Sequence, residues 1–427
     1  MTDRVFSLSR RSLVTTISAA GVIGLGSGTP ARTPSGSADM SRLPPYGSGT
    51  LPPGIRTRRI GNVNGLTVNV LESGFETPGR PAVLLLHGFP ELAYSWRKLM
   101  LPLASAGYHV IAPDRRGFGR TTGWEDAYDG DLDAFSSLNM VEDALALVSA
   151  LGYRRVSAVI GHDAGSPVAA WCALIRPDVF RSVVMMSAPF AGPPALPFNT
   201  ADQPHQVGST ATPSDTLDQQ LAGLARPRKY YMTYYTTREA NGNMRNAPQG
   251  LHAFLRAYYH FKSADWKQNK PFPLKARTAE ELAQLPTYYV MDRNLGMAET
   301  VAPEMPSAAE IAACRWLTEP ELDVYTAEYA RTGFQGGLQA YRCIFDPKLI
   351  AELRLFSERT IDVPACFIAG KSDWGVYQTP GAFEIMKTKA CTNMRDVHLI
   401  EGAGHWVQQE QPEQVNRLLV QFLKEQT

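Results

Sequence analysis

Short apolar runs and helix-like periods alternate in two parts of this chain, and a long helical stretch lies between them. Apolar runs at 83–86, 110–112, 183–186 and 364–370 have the length and composition of buried strands. Over 190–359 the apolar residues, many of them aromatic, recur mainly at helical spacing. Strands that alternate with helices indicate an α/β fold with a mostly parallel, doubly wound sheet, and the helical stretch indicates an inserted cap.

This pattern divides the chain into five predicted segments. We expect cap helices at about 251–262, 308–317 and 320–332, and a final amphipathic helix after Gln411. In such a fold the active site lies at the carboxyl ends of the strands, here under the cap. The segments are a signal peptide at 1–38, a linker at 39–54, the first part of the core at 55–189, the helical cap at 190–359 and the second part of the core at 360–427.

The first segment has the pattern of an export signal. Residues 9–13 (SRRSL) resemble a twin-arginine motif, and a mildly apolar stretch follows at 14–25. This stretch is shorter than the roughly 20 residues that span a bilayer. A Pro/Ser/Gly-rich stretch then extends to residue 38, as is typical of a cleavage region and linker. We expect a periplasmic or secreted bacterial protein with no stable membrane insertion after processing; a disordered extension or an uncleaved anchor is the alternative.

Asp163 stands at the centre of the most informative motif. Residues 159–165 read VIGHDAG, and an apolar helical pattern follows at 168–171. A strand, a sharp turn with a glycine on each side and a helix resemble the nucleophile elbow of α/β-hydrolases, G-x-Nu-x-G. The alternative is an ordinary turn in which Asp163 caps the next helix.

A carboxylate at the elbow restricts the chemistry. An aspartate is already an anion at neutral pH. When it attacks an sp3 carbon it forms an ester, and water can later cleave that ester at the carbonyl of the enzyme's own side chain. A serine in the same place would leave a stable ether. Asp163 therefore favours epoxides or alkyl halides as substrates over esters, lipids and peptides.

Three further features at predicted strand ends complete a catalytic set. The N–H of Phe89, in the loop HGFPE, and the N–H of Ala164 are candidates for an oxyanion hole. Asp373 directly follows a strand and is the candidate acid that orients an imidazole. His405, in the loop GAGHW, is the candidate base. Each feature alone also fits a plain turn, but nucleophile, acid and base occur in the α/β-hydrolase order.

The motifs together resemble those of the epoxide hydrolases. Residues 87–97 (HGFPELAYSWR), 161–163 (GHD) and 333–342 (GFQGGLQAYR) are similar to three signatures of that family, and the similarity extends over about 55–425. The resemblance implies an α/β-hydrolase core with a helical cap and no cofactor. It also implies hydrolysis of a small hydrophobic epoxide to a vicinal diol through an ester on Asp163, with His405 activating the water.

The family further implies two cap tyrosines that hydrogen-bond the epoxide oxygen. Tyr341 matches the second of them by motif. The first comes from the segment YYMTYY, where we favour Tyr235, with Tyr234 as the next choice. Trp96 and Phe334 are expected to line an apolar substrate pocket together with these tyrosines.

Two small residues depart from the family pattern. Ala164 stands where a tryptophan often follows the nucleophile, and Ala340 stands where an aromatic residue often precedes the tyrosine. Both enlarge or reshape the pocket. The alternative enzyme is a haloalkane dehalogenase-like hydrolase of the same fold, but Ala164 and Phe89 do not supply its usual halide donors. A non-catalytic binding protein is a third interpretation, against which the complete set of reactive groups speaks.

Composition adds limits on partners. The net charge of +1 gives no reason to expect nucleic acid or an anionic membrane surface as a partner. No His/Cys spacing suggests a metal site. The five cysteines leave at least one unpaired; we expect Cys172 and Cys366 to be buried thiols, and Cys314 with Cys343 to be a possible cap disulfide. The oligomeric state is left open.

Overall fold

The computed structural model of the protein describes residues 43–47, 49–196 and 213–426. The predicted signal peptide at 1–38 therefore lies outside the described residues, as does a short part of the predicted cap. Within the described part of the chain, no helix combines the length and the apolar character needed to cross a bilayer.

Ten strands occur in the described residues. Those at the centre of the sheet, β3 to β6 and β9, have every residue buried, which explains why they are continuous apolar runs in the sequence. The strands are β1 Arg56–Val63, β2 Leu66–Ser73, β3 Ala82–Leu86, β4 His109–Pro113, β5 Ala158–His162, β6 Val183–Met186, β7 Arg228–Tyr230, β8 Val290–Asp292, β9 Ala365–Gly370 and β10 Met394–Ile400.

Eight of the strands in the described residues form one sheet in the order β1-β2-β4-β3-β5-β6-β9-β10. Strand β2 runs antiparallel to both of its neighbours, and the other pairs are parallel. Strands β7 and β8 form a separate antiparallel pair in the cap. The α/β-hydrolase fold with a mostly parallel sheet is thus confirmed, and the carboxyl ends of β3, β5, β9 and β10 lie at one edge.

Helices cover both the core and the cap. The predicted helix at 251–262 is confirmed to the residue, and the one at 320–332 begins one residue earlier. The described helices are α1 Arg97–Ser105, α2 Ser137–Ala150, α3 Gly165–Ile175, α4 Pro213–Ala222, α5 Tyr231–Tyr235, α6 Glu239–Arg245, α7 Leu251–Lys262, α8 Ala279–Leu282, α9 Met297–Val301, α10 Ala308–Ala313, α11 Glu319–Thr332, α12 Gln335–Phe345, α13 Pro347–Leu353, α14 Ala382–Ile385, α15 Val407–Glu410 and α16 Pro412–Lys424.

The structure differs from the predicted linker at 39–54. Tyr46 is buried against the core, with 3% of its surface exposed. Its hydroxyl donates a hydrogen bond of 2.9 Å to Oδ1 of Asp114, a buried carboxylate beyond β4. Tyr46 and Gly47 are therefore buried on the core, while Pro44, Pro45 and Gly49 of the same segment are exposed.

The possible disulfide between Cys314 and Cys343 is wrong, because all five cysteines are free thiols. Cys343 lies on α12 and its sulfur is 3.4 Å from the carbonyl oxygen of Leu132 in the core. Cys314 ends α10 and is only partly buried. Cys172 and Cys366 are buried thiols as predicted, and burial raises the pKa of both well above the ordinary cysteine value.

The cap and the core touch through their backbones at two glycines. Gly336 opens α12, and Gly117 lies in the loop after β4. A Cβ atom placed on Gly336 would lie 2.3 Å from the carbonyl oxygen of Gly117. Side chains cannot fit between these two segments, so glycine sets how closely α12, which carries Tyr341, approaches the core.

We expect Gly336→Ala to lower the free energy of unfolding by about 1–3 kcal/mol, since the new methyl group forces α12 away from the loop. Gly242→Ala is the matched control: Gly242 also lies within a cap helix, but its new methyl group would meet no neighbouring atom of the described residues within 4 Å. That control is expected to gain up to about 1 kcal/mol from helix propensity. Urea unfolding measures both, and an unchanged or raised midpoint for Gly336→Ala would contradict the close packing.

Candidate active site

Asp163 occupies a strained turn between β5 and α3. Its φ is +50°, a left-handed value that few residues other than glycine adopt. Glycines on both sides make the turn possible. A Cβ on Gly161 would lie 2.1 Å from the carbonyl oxygen of Gly165, and a Cβ on Gly165 would lie 2.2 Å from that of Leu86. The turn is the predicted nucleophile elbow, and it projects the Asp163 carboxylate from the end of the sheet.

The imidazole of His405 bridges two carboxylates. Its Nε2 lies 3.1 Å from Oδ2 of Asp163, and its Nδ1 lies 3.1 Å from Oδ1 of Asp373. The other oxygen of Asp163, Oδ1, accepts a hydrogen bond of 2.8 Å from the N–H of Phe89. The structure thus brings together four predicted residues from the ends of β3, β5, β9 and β10, and all four are buried.

The loop that carries His405 is fixed through its backbone. The His405 N–H donates to the carbonyl oxygen of Lys262, at the end of cap helix α7, over 2.9 Å. The N–H groups of Gly404 and Trp406, on either side of His405, both donate to the Glu410 carboxylate over 2.9 Å. Anchors on three consecutive residues leave the imidazole little freedom to move away from the carboxylates.

A buried ion pair supports the elbow from behind. His162 precedes the nucleophile, and its Nδ1 lies 2.5 Å from Oε2 of Glu91. Its Nε2 lies 2.7 Å from the carbonyl oxygen of His405, which can only accept. Burial disfavours charge on both groups, yet their mutual attraction raises the pKa of His162 and lowers that of Glu91. With both ring nitrogens donating, His162 is an imidazolium that links the elbow to the base loop.

Glu91 and His162 belong to the motifs HGFPE and GHD, but neither motif indicates that the two side chains contact each other. They lie 71 positions apart in the chain. The amide groups of Gln408 and Gln409 also donate to Oε1 of Glu91, over 2.9 and 3.1 Å. Only the packing of the base loop onto the loop after β3 reveals this network.

A buried lysine adds positive charge near the nucleophile. Lys262 is 3% exposed, and its ammonium lies 5.1–5.8 Å from the ring centres of Tyr258, Tyr288, Tyr289 and Trp406. Among the described residues no carboxylate oxygen lies within 4.0 Å of it. Burial opposes ionisation of Asp163, but the hydrogen bond to His405 and the charge of Lys262 outweigh it and hold the pKa of Asp163 well below its usual range.

Two cap tyrosines, Tyr341 and Tyr231, lie close enough to Asp163 for its charge to act on their phenols. Tyr341 on α12 packs edge-on against Phe89, with ring centres 5.5 Å apart. Tyr231 at the start of α5 has its ring centre 6.3 Å from that of Tyr341. Burial, followed by the nearby phenols and the negative charge of Asp163, raises the pKa of Tyr231 well above 10. Burial and Asp163 do the same to the pKa of Tyr341. Both phenols therefore remain protonated donors at neutral pH.

The favoured first tyrosine, Tyr235, is turned elsewhere. Its hydroxyl lies 3.2 Å from that of Tyr258, and its ring packs between Phe89 and Tyr341. Tyr234 lies beneath the ammonium of Lys229, 4.5 Å from its ring centre, and the charges that act on its phenol are those of cap glutamates. The hydroxyl of Tyr231 is also engaged, since it donates to Oε1 of Gln378 over 3.1 Å. The two tyrosines differ in their electrostatics: burial raises the pKa of both, and the charge of Asp163 adds to this for Tyr231, whereas neighbouring phenols do so for Tyr235. Sequence spacing on so short a helix could not reveal this difference.

The remaining predicted residues lie at different distances from the centre. Phe334 stacks on Tyr329 with ring centres 4.5 Å apart and lies 6.0 Å from the ring of Phe89, beside the site. Trp96 is fully buried, and the described contacts do not join its ring to Asp163 or the cap tyrosines. Ala164 caps α3 directly after the nucleophile; donation by its N–H to an oxyanion stays a prediction.

The arrangement offers a carboxylate nucleophile, a base beside it, an N–H donor on its second oxygen and phenol donors opposite. In the described ranges no group of three or more His, Cys, Asp or Glu side chains is arranged to hold a metal ion. What the residues present can do is attack an electrophilic carbon, donate a proton to the departing oxygen and activate water.

Comparisons with known proteins agree with this chemistry. A family profile described as the alpha/beta hydrolase fold matches residues 81–412. Epoxide hydrolase A of Mycobacterium tuberculosis is 32% identical over 377 residues, which are 87% of this chain and 98% of that protein. Epoxide hydrolase B of the same organism is 31% identical over 372 residues, 86% of this chain and 98% of that protein.

Solved structures show the same likeness. An epoxide hydrolase from an endophytic Streptomyces superposes with a TM-score of 0.68 at 29% identity, covering 87% of this chain and 96% of that one. Epoxide hydrolase A from Mycobacterium thermoresistibile gives 0.66 at 30% identity, covering 87% and 98%. The chain therefore belongs to the epoxide hydrolase family of the α/β-hydrolase superfamily, and it is a hydrolase.

Proposed function

We propose that the enzyme opens its epoxide in two steps, through an ester on Asp163 that water activated by His405 then cleaves. The observation that carries this proposal is the imidazole of His405, which lies 3.1 Å from a carboxylate oxygen of Asp163 on one side and of Asp373 on the other. An imidazole at this distance can activate a water that attacks the carboxyl carbon of Asp163 once the ester has formed. A one-step hydration of the epoxide does not require a base beside that carbon.

In the first step Oδ2 of Asp163 bonds to an epoxide carbon while the carbon–oxygen bond of the ring breaks. Oδ2 is the attacking atom because Oδ1 already accepts the N–H of Phe89. The departing oxygen carries the electron pair as an alkoxide and takes a proton from a phenol. Tyr231 and Tyr341 are the proposed donors, in place of the predicted pair of Tyr235 and Tyr341. The ring of Tyr341 packs on Phe89, whose N–H binds Asp163, and the ring of Tyr231 lies 6.3 Å from that of Tyr341. The charge of Asp163 also acts on both phenols, whereas neighbouring phenols act on that of Tyr235.

In the second step Nε2 of His405 takes a proton from water, and the hydroxide adds to the carboxyl carbon of Asp163. The charge then falls on Oδ1, where the N–H of Phe89 already lies and where the N–H of Ala164 is predicted to join it. Asp373 stabilises the imidazolium through Nδ1. Collapse of the intermediate breaks the bond between the carboxyl carbon and Oδ2, and the leaving alkoxide takes the proton held by His405 and departs as the vicinal diol. The proton of the regenerated carboxyl group returns to the phenolate left by the first step, and one oxygen of water stays in Asp163.

The phenols decide between an epoxide and a halide. An alkoxide is a strong base that needs an acid, whereas a departing halide accepts hydrogen bonds but takes no proton. Tyr231 and Tyr341 are acids held protonated by burial beside the nucleophile, which raises the pKa of both. This feature supports epoxide hydrolysis over the dehalogenase alternative. Export through the twin-arginine pathway remains our inference from residues 9–25.

Asp163→Ala should abolish turnover, and His405→Gln should stop the reaction at the ester. With the base removed, hydrolysis is expected to slow by roughly 10²–10⁴-fold while alkylation continues. Trapping of the ester would show as a burst of substrate consumption without diol formation, together with a mass increase on the peptide that contains residue 163. If His405→Gln yields neither a burst nor an adduct, the two-step scheme fails.

Tyr231→Phe should slow alkylation by roughly 10²-fold, because the alkoxide loses a proton donor. Tyr235→Phe removes a hydroxyl from the same helix and serves as the matched variant. A smaller loss is expected because that hydroxyl is bound to Tyr258 and its pKa is raised by burial and neighbouring phenols rather than by Asp163. Single-turnover rates of ester formation compare the two. A larger effect of Tyr235→Phe would restore the assignment made from the sequence.

Lys262→Met should raise the pKa of Asp163, since the carboxylate loses a nearby positive charge. With a higher pKa, Asp163 becomes protonated at a higher pH. The acid limb of the pH profile, where the alkylation rate falls, therefore shifts upward by about one pH unit. The rate is best measured in a His405→Gln background, where ester formation is isolated. Lys262→Arg keeps the positive charge, so the acid limb of its pH profile should stay at the wild-type pH. If the acid limb of Lys262→Met also stays there, the charge at position 262 does not act on Asp163.

A further inference from the structure

An apolar cavity adjoins the nucleophile elbow. It has a volume of about 290 Å³ and begins at Ala164 and Tyr341. From there it passes Ala340 and continues to Ile344 and Leu353, at the outer side of the cap. Asp163 itself does not line the cavity, but its neighbour Ala164 and the proposed donor Tyr341 both do. The space between these two residues is therefore the route by which a substituent on the reacting carbon would enter.

Two alanines make the cavity possible. Ala164 directly follows Asp163, and Ala340 directly precedes Tyr341. Their methyl groups face the cavity from the core and from α12 respectively. A large side chain at either position would occupy the space beside the nucleophile. The departures from the family pattern that the sequence shows at these two positions thus have one common structural consequence.

The walls of the cavity are suited to hydrocarbon. Val168, Trp171 and Phe190 line it from the core, and the one charged side chain in its described lining is Arg115. The guanidinium of Arg115 is directed at the core: Nη1 donates to the carbonyl oxygen of His87 over 2.8 Å, and Nη2 contacts the sulfur of Met140 at 3.0 Å. Contact with this lining therefore stabilises an apolar group of the substrate more than a polar one.

The outer end of the cavity is also apolar. Ile344 is 48% exposed although it is a large hydrophobic residue. Leu353, on α13, lines the same end and is partly exposed. A chain that fills the cavity would cover these side chains, which gives a physical reason for apolar residues at this part of the cap surface.

We propose that the cavity receives a long aliphatic substituent of the substrate, so that the enzyme prefers epoxides of medium-chain alkenes to short ones. This inference rests on the proposed function, in which the epoxide carbon lies between Asp163 and Tyr341. Each methylene that enters an apolar site contributes about 0.8 kcal/mol, which corresponds to a rise of roughly threefold to fourfold in kcat/KM. The rise continues along the chain until the cavity is full.

The test compares the oxides of butene, hexene, octene and decene with the wild-type enzyme. We expect kcat/KM to rise steeply from butene oxide to octene oxide and then to level off. If no oxide of the series is hydrolysed, the proposed function fails. If all are hydrolysed with kcat/KM values that do not rise with chain length, the function stands and the cavity proposal is overturned.

A variant shows whether the cavity causes the preference. Ala340→Phe fills the space beside Tyr341, so the ratio of kcat/KM for octene oxide to kcat/KM for butene oxide should fall to near one, whatever the change on butene oxide itself. Ala351→Phe adds the same ring to exposed α13 outside the cavity and should keep the full slope. A steep slope retained by Ala340→Phe would overturn the proposal, as would an equal loss on both substrates. The wild-type series decides the question even if Ala340→Phe does not fold.

Discussion

The whole site depends on one imidazole being held between two carboxylates that are far apart in the sequence. Asp163, Asp373 and His405 follow three parallel strands, β5, β9 and β10, whose carboxyl ends lie at the same edge of the sheet. The sheet alone brings them near one another, but it does not fix distances of 3.1 Å. That precision comes from backbone hydrogen bonds on both sides of His405, which restrict the loop to one position.

Charges in the site are arranged before any substrate arrives. His162 is held as a cation by Glu91, and Lys262 lies among aromatic rings that attract its ammonium. Both cations favour the ionised form of Asp163 and lower its pKa. Opposite them, burial keeps Tyr231 and Tyr341 protonated. In the proposed reaction an ionised carboxylate lies near protonated phenols, so little reorganisation is needed when negative charge moves from the carboxylate to the epoxide oxygen.

The cap does more than cover this centre. Its helix α7 accepts the His405 N–H at Lys262, and the backbone of Ser263 lies so close that a Cβ on Gly404 would be 2.5 Å from it. Its helix α12 approaches the core through Gly336 and carries Tyr341. The position of the base and the position of a proton donor are therefore both set by how the cap packs on the core, and neither can shift without the other elements moving.

The sequence alone determined the parallel sheet, the inserted cap and which residues meet at the site, Asp163, Asp373 and His405. These depend on local patterns: buried strands as apolar runs, and a turn that admits only glycine around Asp163. It also showed that Ala164 and Ala340 are small. It could not show that the Tyr235 hydroxyl contacts Tyr258, join Glu91 to His162 or exclude a disulfide at Cys314. Those outcomes depend on the directions of side chains across the cap and core, which tertiary packing alone decides, since residues distant in sequence become neighbours only when the chain is folded.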